Sequence, residues 1–217
     1  MKLVNCKSYL RLGVACFTLS LSGCVSIPTS PTPRFYTLTP IDKNKAGVDH
    51  ASARISGGTS DRHNIMIIGV GPVKIPEYLD RPQMVTKSKD KTLKFAQFDR
   101  WGESLDLGLA SLIREDLTVM LPSVKLALYP WNPSMTVKYQ VSVEVVQWDS
   151  ELDGDMSLVV QWTVIDVENS KVVVMKRSEF HQPVMPQNYS GLAQTLSTAC
   201  ASLSHDIAST IGQIFVS

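Results

Sequence analysis

The sequence predicts an α+β fold: a mostly antiparallel sheet covered by one helix after Trp101 and by a long C-terminal helix. Three observations carry that expectation. Between residues 137 and 180, three long β-prone stretches alternate apolar and polar residues and are separated by short turn-forming runs, the pattern of an antiparallel meander. From residue 189 to 215, Leu192, Leu196, Cys200, Leu203, Ile207, Ile211 and Ile214 recur every third or fourth position, the period of an amphipathic helix. Residues 65–73, IMIIGVGPV, form the short continuous apolar run of a buried strand.

In chain order, the first stretch is a secretory signal. Lys2, Lys7 and Arg11 precede the uncharged, mostly apolar run 12–21, which is too short for a stable membrane-spanning helix. An ordinary signal ends in small residues, but here Leu21-Ser22-Gly23 leads directly into Cys24. This resembles the bacterial lipobox, in which the Cys is diacylated, the chain is cut before it, and the new amino terminus is acylated. The competing readings are an ordinary signal with an incidental Cys, or a membrane anchor that the length of the run disfavours. Each buried methylene of an acyl chain contributes roughly 0.8 kcal/mol, so a multiply acylated Cys24 is a lasting tether. Residues 1–23 are thus expected to be removed, and 24–34 to be a lipidated Cys with a Pro/Ser/Thr linker. Residues 35–217 are expected to form a single domain. The 11 steps from Cys24 to Phe35 reach roughly 35 Å at ~3.3 Å each. Val25 follows the lipidated position. An Asp there usually marks inner-membrane retention in Gram-negative lipoproteins, so Val25 favours the outer membrane, with the domain facing the periplasm.

Removal of the first 23 of 217 residues leaves 194, enough for one domain with a sizeable core. The signal holds three of the 21 Lys and Arg and none of the 20 acids, so the mature net charge is −2. A near-neutral chain with no basic run argues against nucleic acid and against a polybasic membrane patch. Of the four Cys, Cys6 and Cys16 leave with the signal and Cys24 is lipidated. Cys200 is left alone, with no intramolecular disulfide open to it.

Residues 35–38, aromatic and β-prone, predict the first strand, closed by Pro40. Residues 41–64 carry few large apolar side chains and predict a long mobile loop. After the apolar run 65–73 comes IPEYLDRPQMVT, in which Pro76 and Pro82 bracket a turn-like segment. Residues 84–88 and 92–97 predict a hairpin, and 99–104 lead into a helix. In that helix Leu105, Leu109, Leu112, Ile113, Asp116, Leu117 and Met120 share one face. Ser104 is its expected N-cap and Pro122 its stop. Residues 124–129 predict a strand ending at Pro130, and Asp153-Gly154 predicts the first turn of the meander.

The run IPEYLDRPQMVT, then LKFAQFDRWGESL, then Tyr129-Pro130-Trp131, resembles the ABC-type transport auxiliary lipoproteins, the PqiC-like group, over about residues 35–215. The family usually has Ala and Pro where this chain has Gly102 and Ser104. The resemblance implies a periplasm-facing lipoprotein that works with an MCE-domain protein and an inner-membrane permease, in systems that move lipids or other hydrophobic molecules between two membranes. It implies no cofactor and no catalysis. Tyr78, Arg81, Arg100 and Trp101 are the candidate partner-binding residues, because Tyr, Trp and Arg dominate interface hot spots. The structural alternative stands beside it: Tyr78 and Leu79 plug the core edge, Asp80 and Arg81 pair locally, and Trp101 is core.

Chemistry is otherwise poorly supported. Asp149, Glu151, Asp153 and Gly154 imitate the start of a calcium loop, but Val160 stands where a bidentate Glu is needed, so a hairpin turn is expected. Ser88 and Lys91 match S-x-x-K, yet in a hairpin and without a Lys-Thr-Gly partner. His50, His63, His181 and His205 are scattered. The expectation is a non-enzymatic docking lipoprotein. The alternatives are a lipid carrier that encloses ligand itself, or a peptidoglycan-binding lipoprotein. Homo-oligomerisation is plausible for such an anchor, though no residue pattern sets a number.

Overall fold

The computed structural model describes residues 31–42, 66–88 and 90–216. The expected signal peptide, Cys24 and most of the loop 41–64 lie outside these residues.

Among the described residues, eight strands form two sheets rather than the single sheet expected. The larger holds β2 (Ile67–Lys74), β5 (Lys125–Leu128), β6 (Tyr139–Ser150), β7 (Asp155–Asp166) and β8 (Lys171–Pro183), in the order β5-β2-β6-β7-β8. The smaller holds β1 (Arg34–Tyr36), β3 (Gln83–Lys87) and β4 (Leu93–Trp101), in the order β1-β4-β3. The meander β6-β7-β8 is antiparallel as its alternation predicts, with Val141 opposite Val164 and Val143 opposite Trp162. Three shorter pairings are parallel: β2 with β5, β2 with β6, and β1 with β4. The class is α+β, with mixed sheets in which the long antiparallel ladders dominate.

Two helices, α1 (Leu105–Met120) and α2 (Tyr189–Val216), pack on each other and on one face of the larger sheet. The apolar stripe of α2 is the centre of the core: Leu192, Leu196, Leu203, Ile207 and Ile211 are all at most 1% exposed. They meet Val141, Val143, Trp162 and Val164 from the sheet and Leu109, Ile113 and Leu117 from α1. At its start the Asn188 side chain accepts the Gly191 N–H at 2.9 Å, an N-cap bond. A Cβ on Gly191 would overlap the Pro186 carbonyl, so the chain enters this helix through a gap only glycine fits. The cap of α1 differs from expectation. Ser104 holds the N-cap position, but its hydroxyl donates to the Asp106 carboxylate instead of capping a backbone N–H.

Four polar residues of α2, Thr195, Ser197, Ser204 and Thr210, are buried. Each is covered from a different direction. Segment 37–42, which follows β1, donates from Thr39 N–H to the Ser197 hydroxyl at 3.1 Å. Ser204 donates to Asp116 of α1 at 3.3 Å. The Thr195 hydroxyl donates to the Pro183 carbonyl at 3.4 Å, and Lys176 of β8 donates to Thr210 at 2.9 Å. The same segment donates from Ile41 N–H to Asp116 at 2.8 Å. Asp116 thus lies fully buried between the helices and the strap, and burial raises its carboxyl pKa above the usual carboxylate range.

Candidate partner-docking site

The motif residues do not form one loop. Residues 77–79 make a single 3₁₀ turn, Glu77–Leu79, between β2 and β3. Strand β4, expected to end near residue 97, continues to Trp101. The reason is β1, whose three residues pair in parallel with 99–101 and extend the ladder: Arg34 with Asp99, Phe35 with Arg100, Tyr36 with Trp101. A partner some 65 residues earlier in sequence is invisible to a local pattern.

Alternation along β4 then sorts the candidates by face. Trp101 points inward, is 6% exposed, and packs at 6.1 Å between ring centroids on Trp148 of β6. Tyr78 is half-buried and donates its hydroxyl to the Trp148 carbonyl at 3.0 Å. Leu79 is buried beside them. Together these contacts join the smaller sheet to the larger one. Asp99, on the inner face, is also buried and holds β1 in place. It pairs with Arg34 at 2.9 Å and accepts the Tyr36 hydroxyl at 2.7 Å.

The outer face carries the other two candidates. Gln83, Arg100 and Phe35 form one cross-strand row over β3, β4 and β1. Val85, two residues on from Gln83, pairs with Phe95, and a register shift in the ladder absorbs the odd spacing between Phe95 and Arg100. Arg81 lies over the Phe95 ring at 4.3 Å from its centroid, so its partner is an aromatic face rather than Asp80. Phe35 is 65% exposed and Phe95 47%. The Arg100 Nε is buried with no hydrogen-bond partner. Phe35 and Phe95 were not among the sequence candidates; the alternation of LKFAQFDRW could have placed Phe95 outward, but only pairing with β1 puts Phe35 beside Arg100.

Tyr129-Pro130-Trp131 makes a separate feature. The Trp131 ring lies against the Gly69 backbone, where a Cβ would overlap it, and Tyr129 meets it edge-on at 5.4 Å.

The rest of the described surface offers little chemistry. An open cleft of about 560 Å³ between two hairpin tips is lined by Lys87, Asp90, Lys94, Glu151 and Asp153. Residues 151–154 form the hairpin turn expected there, and Ser88 and Lys91 sit in the β3–β4 turn. Among the described residues no three His, Cys, Asp or Glu side chains gather to hold a metal ion. Cys200 is buried in the core, its thiol pKa pushed up to about 12 by desolvation, and is inert as a nucleophile. Among the described residues no helix is long and apolar enough to cross a membrane.

The described residues form a packed α+β domain with aromatic and guanidinium groups on the outer face of its smaller sheet. Residues 50–208 match the family model described as ABC-type transport auxiliary lipoprotein component, and the chain belongs to that family. It is therefore an auxiliary lipoprotein of ABC-type transport systems. No curated protein matches the chain. Solved crystal structures share its fold, and two serve as comparisons. One, of an uncharacterised protein, has a TM-score of 0.63 at 18% identity and covers 83% of this chain and 99% of its own. The other, of a Xanthomonas campestris protein, has a TM-score of 0.53 at 10% identity and covers 66% of this chain and 81% of its own.

Proposed function

We propose that this chain is the docking subunit of an MCE-type intermembrane lipid transport system, of the PqiC-like kind. In this reading it is lipidated at Cys24, held at the outer membrane through Val25-type sorting, and faces the periplasm. It holds the periplasmic MCE-domain component, which an inner-membrane permease feeds, and performs no catalysis. A ring or other homo-oligomer would let it meet a multi-subunit partner. The observation that carries the reading is the family match over 50–208, because an auxiliary component of a transport system acts by binding the rest of it. The core supports docking over carriage: the seam between α2 and the sheet is filled by Leu196, Leu203, Ile207, Val143 and Trp162, each at most 3% exposed.

Affinity purification of full-length protein from intact membranes, beside a Cys24→Ala control, tests the proposal. An MCE-domain protein should be recovered with the lipidated chain and depleted with the control. Recovery of stoichiometric phospholipid with no protein partner would favour the carrier, and sedimentation with isolated sacculi would favour a peptidoglycan-binding role.

A further inference from the structure

Five arginines are described, and they divide cleanly. Arg34 pairs with Asp99, Arg114 with Glu115 and Arg177 with Glu179. Arg81 and Arg100 alone have no carboxylate partner among the described residues, and both belong to the outer face of the smaller sheet. Arg100 Nε is a desolvated donor with nothing to donate to. A buried donor left unpaired is costly. Phe35 and Phe95, the two large aromatic side chains exposed on this sheet, flank it. A guanidinium without a carboxylate beside uncovered aromatic rings is the composition of an interface core awaiting its other half.

We propose that this face binds an extended acidic segment of a protein partner: Arg100 and Arg81 receive one or two of its carboxylates, and Phe35 and Phe95 receive the apolar side chains between them. The inference rests on the docking reading above and gives it a surface and a partner chemistry. Charge placement selects a segment over a lipid surface. The exposed acids Glu77, Asp80 and Glu103 flank Arg81 and Arg100 in the chain, so no broad positive field forms. Attraction to an anionic bilayer needs a cluster of several cations. Two planar guanidiniums instead suit individually placed carboxylates, each held by a bidentate pair of N–H bonds. The Phe35–Arg100–Gln83 row crosses three strands, so the segment would contact side chains of all of them at once.

The test is site-specific photo-crosslinking in intact envelopes, with a photoreactive phenylalanine at position 35 or 95 of the full-length chain and peptides read by mass spectrometry. The expected product is a peptide from another subunit of the transport system that contains Asp or Glu. Its yield should fall about tenfold in the Arg81→Gln/Arg100→Gln double variant and be partly kept in Arg81→Lys/Arg100→Lys. If the Gln variant fails to fold, the unaltered arginines still decide: yield from position 35 should drop between about 50 mM and about 500 mM salt. Crosslinks to lipid alone would overturn the proposal in favour of a membrane surface. An MCE-domain protein that co-purifies normally while positions 35 and 95 stay silent, or are indifferent to both arginines and salt, would overturn this inference and leave the docking reading standing. Recovery of no partner by the unaltered chain would overturn both.

Discussion

The two sheets are held together by different means. The larger is dominated by β6, β7 and β8, which follow one another along the chain, with β2 and β5 added in parallel, and one face is sealed by α1 and α2. The smaller is closed by β1, three residues long, pairing with a strand some 65 positions later. Its inner face is pinned by Trp101 and Asp99, and its outer face leaves Phe35 and Phe95 uncovered. One sheet spends its apolar residues on stability. The other holds two rings and two guanidiniums at its surface, one of them stacked on the Phe95 ring.

Substitutions should separate these roles. The largest effect is expected at the core of the larger sheet. Leu203→Ala, at 1% exposure, should lose about 2–5 kcal/mol in a urea titration, because the close-packed α2 seam cannot collapse into the space. Next comes Gly191→Ala, where the new methyl meets the Pro186 carbonyl; overpacking should remove about 1–3 kcal/mol and lower the melting temperature. Asp99→Asn should act on the smaller sheet alone. The Gly102 amide, bonded to the Tyr36 carbonyl at 2.7 Å, should exchange with deuterium about tenfold faster while amides of β7 stay protected. Equal acceleration in both sheets would show that they open as one unit.

Asp116 gives an effect with a direction in pH. Its folded pKa lies above the unfolded value of about 3.9, because burial disfavours the charged form. Its stabilising contribution is therefore complete below about pH 4 and is lost as pH rises through the raised folded pKa. The urea midpoint of Asp116→Asn should vary less with pH across that window than that of the unaltered chain. The smallest effect is expected at Phe35→Ala, within about 0.5 kcal/mol by the same titration, although the side chain is a large aromatic. A loss of several kcal/mol there would mean that Phe35 supports the fold instead of awaiting a partner.

Much of this was legible in the residues. Period-two alternation in β6 and β7 and the three-to-four spacing of α2 report burial directly, because each repeats over many residues on one face. The long IPEYLDRPQ run pointed to the right family. The site was legible only in part. Tyr78, Arg81, Arg100 and Trp101 share one sequence motif, yet the fold divides them, two inward and two outward. Residue type alone could not divide them, since Tyr, Trp and Arg serve cores and interfaces alike. The outward placement of Phe35 was not legible because a three-residue strand carries too short a pattern to show a face. The burial of polar residues on α2 was not legible for a related reason: a helical period marks the apolar stripe but is silent about a segment or a strand that covers the other side.

The sequence by itself determined the meander, the two helices and the apolar stripe between them, because each depends on residues close together in the chain. Only the tertiary structure decided that there are two sheets, that β1 extends β4, and that Arg100 stands beside Phe35 on an open face. Those outcomes depend on pairings between residues about 65 apart, chosen by backbone hydrogen bonds and burial that no local pattern encodes.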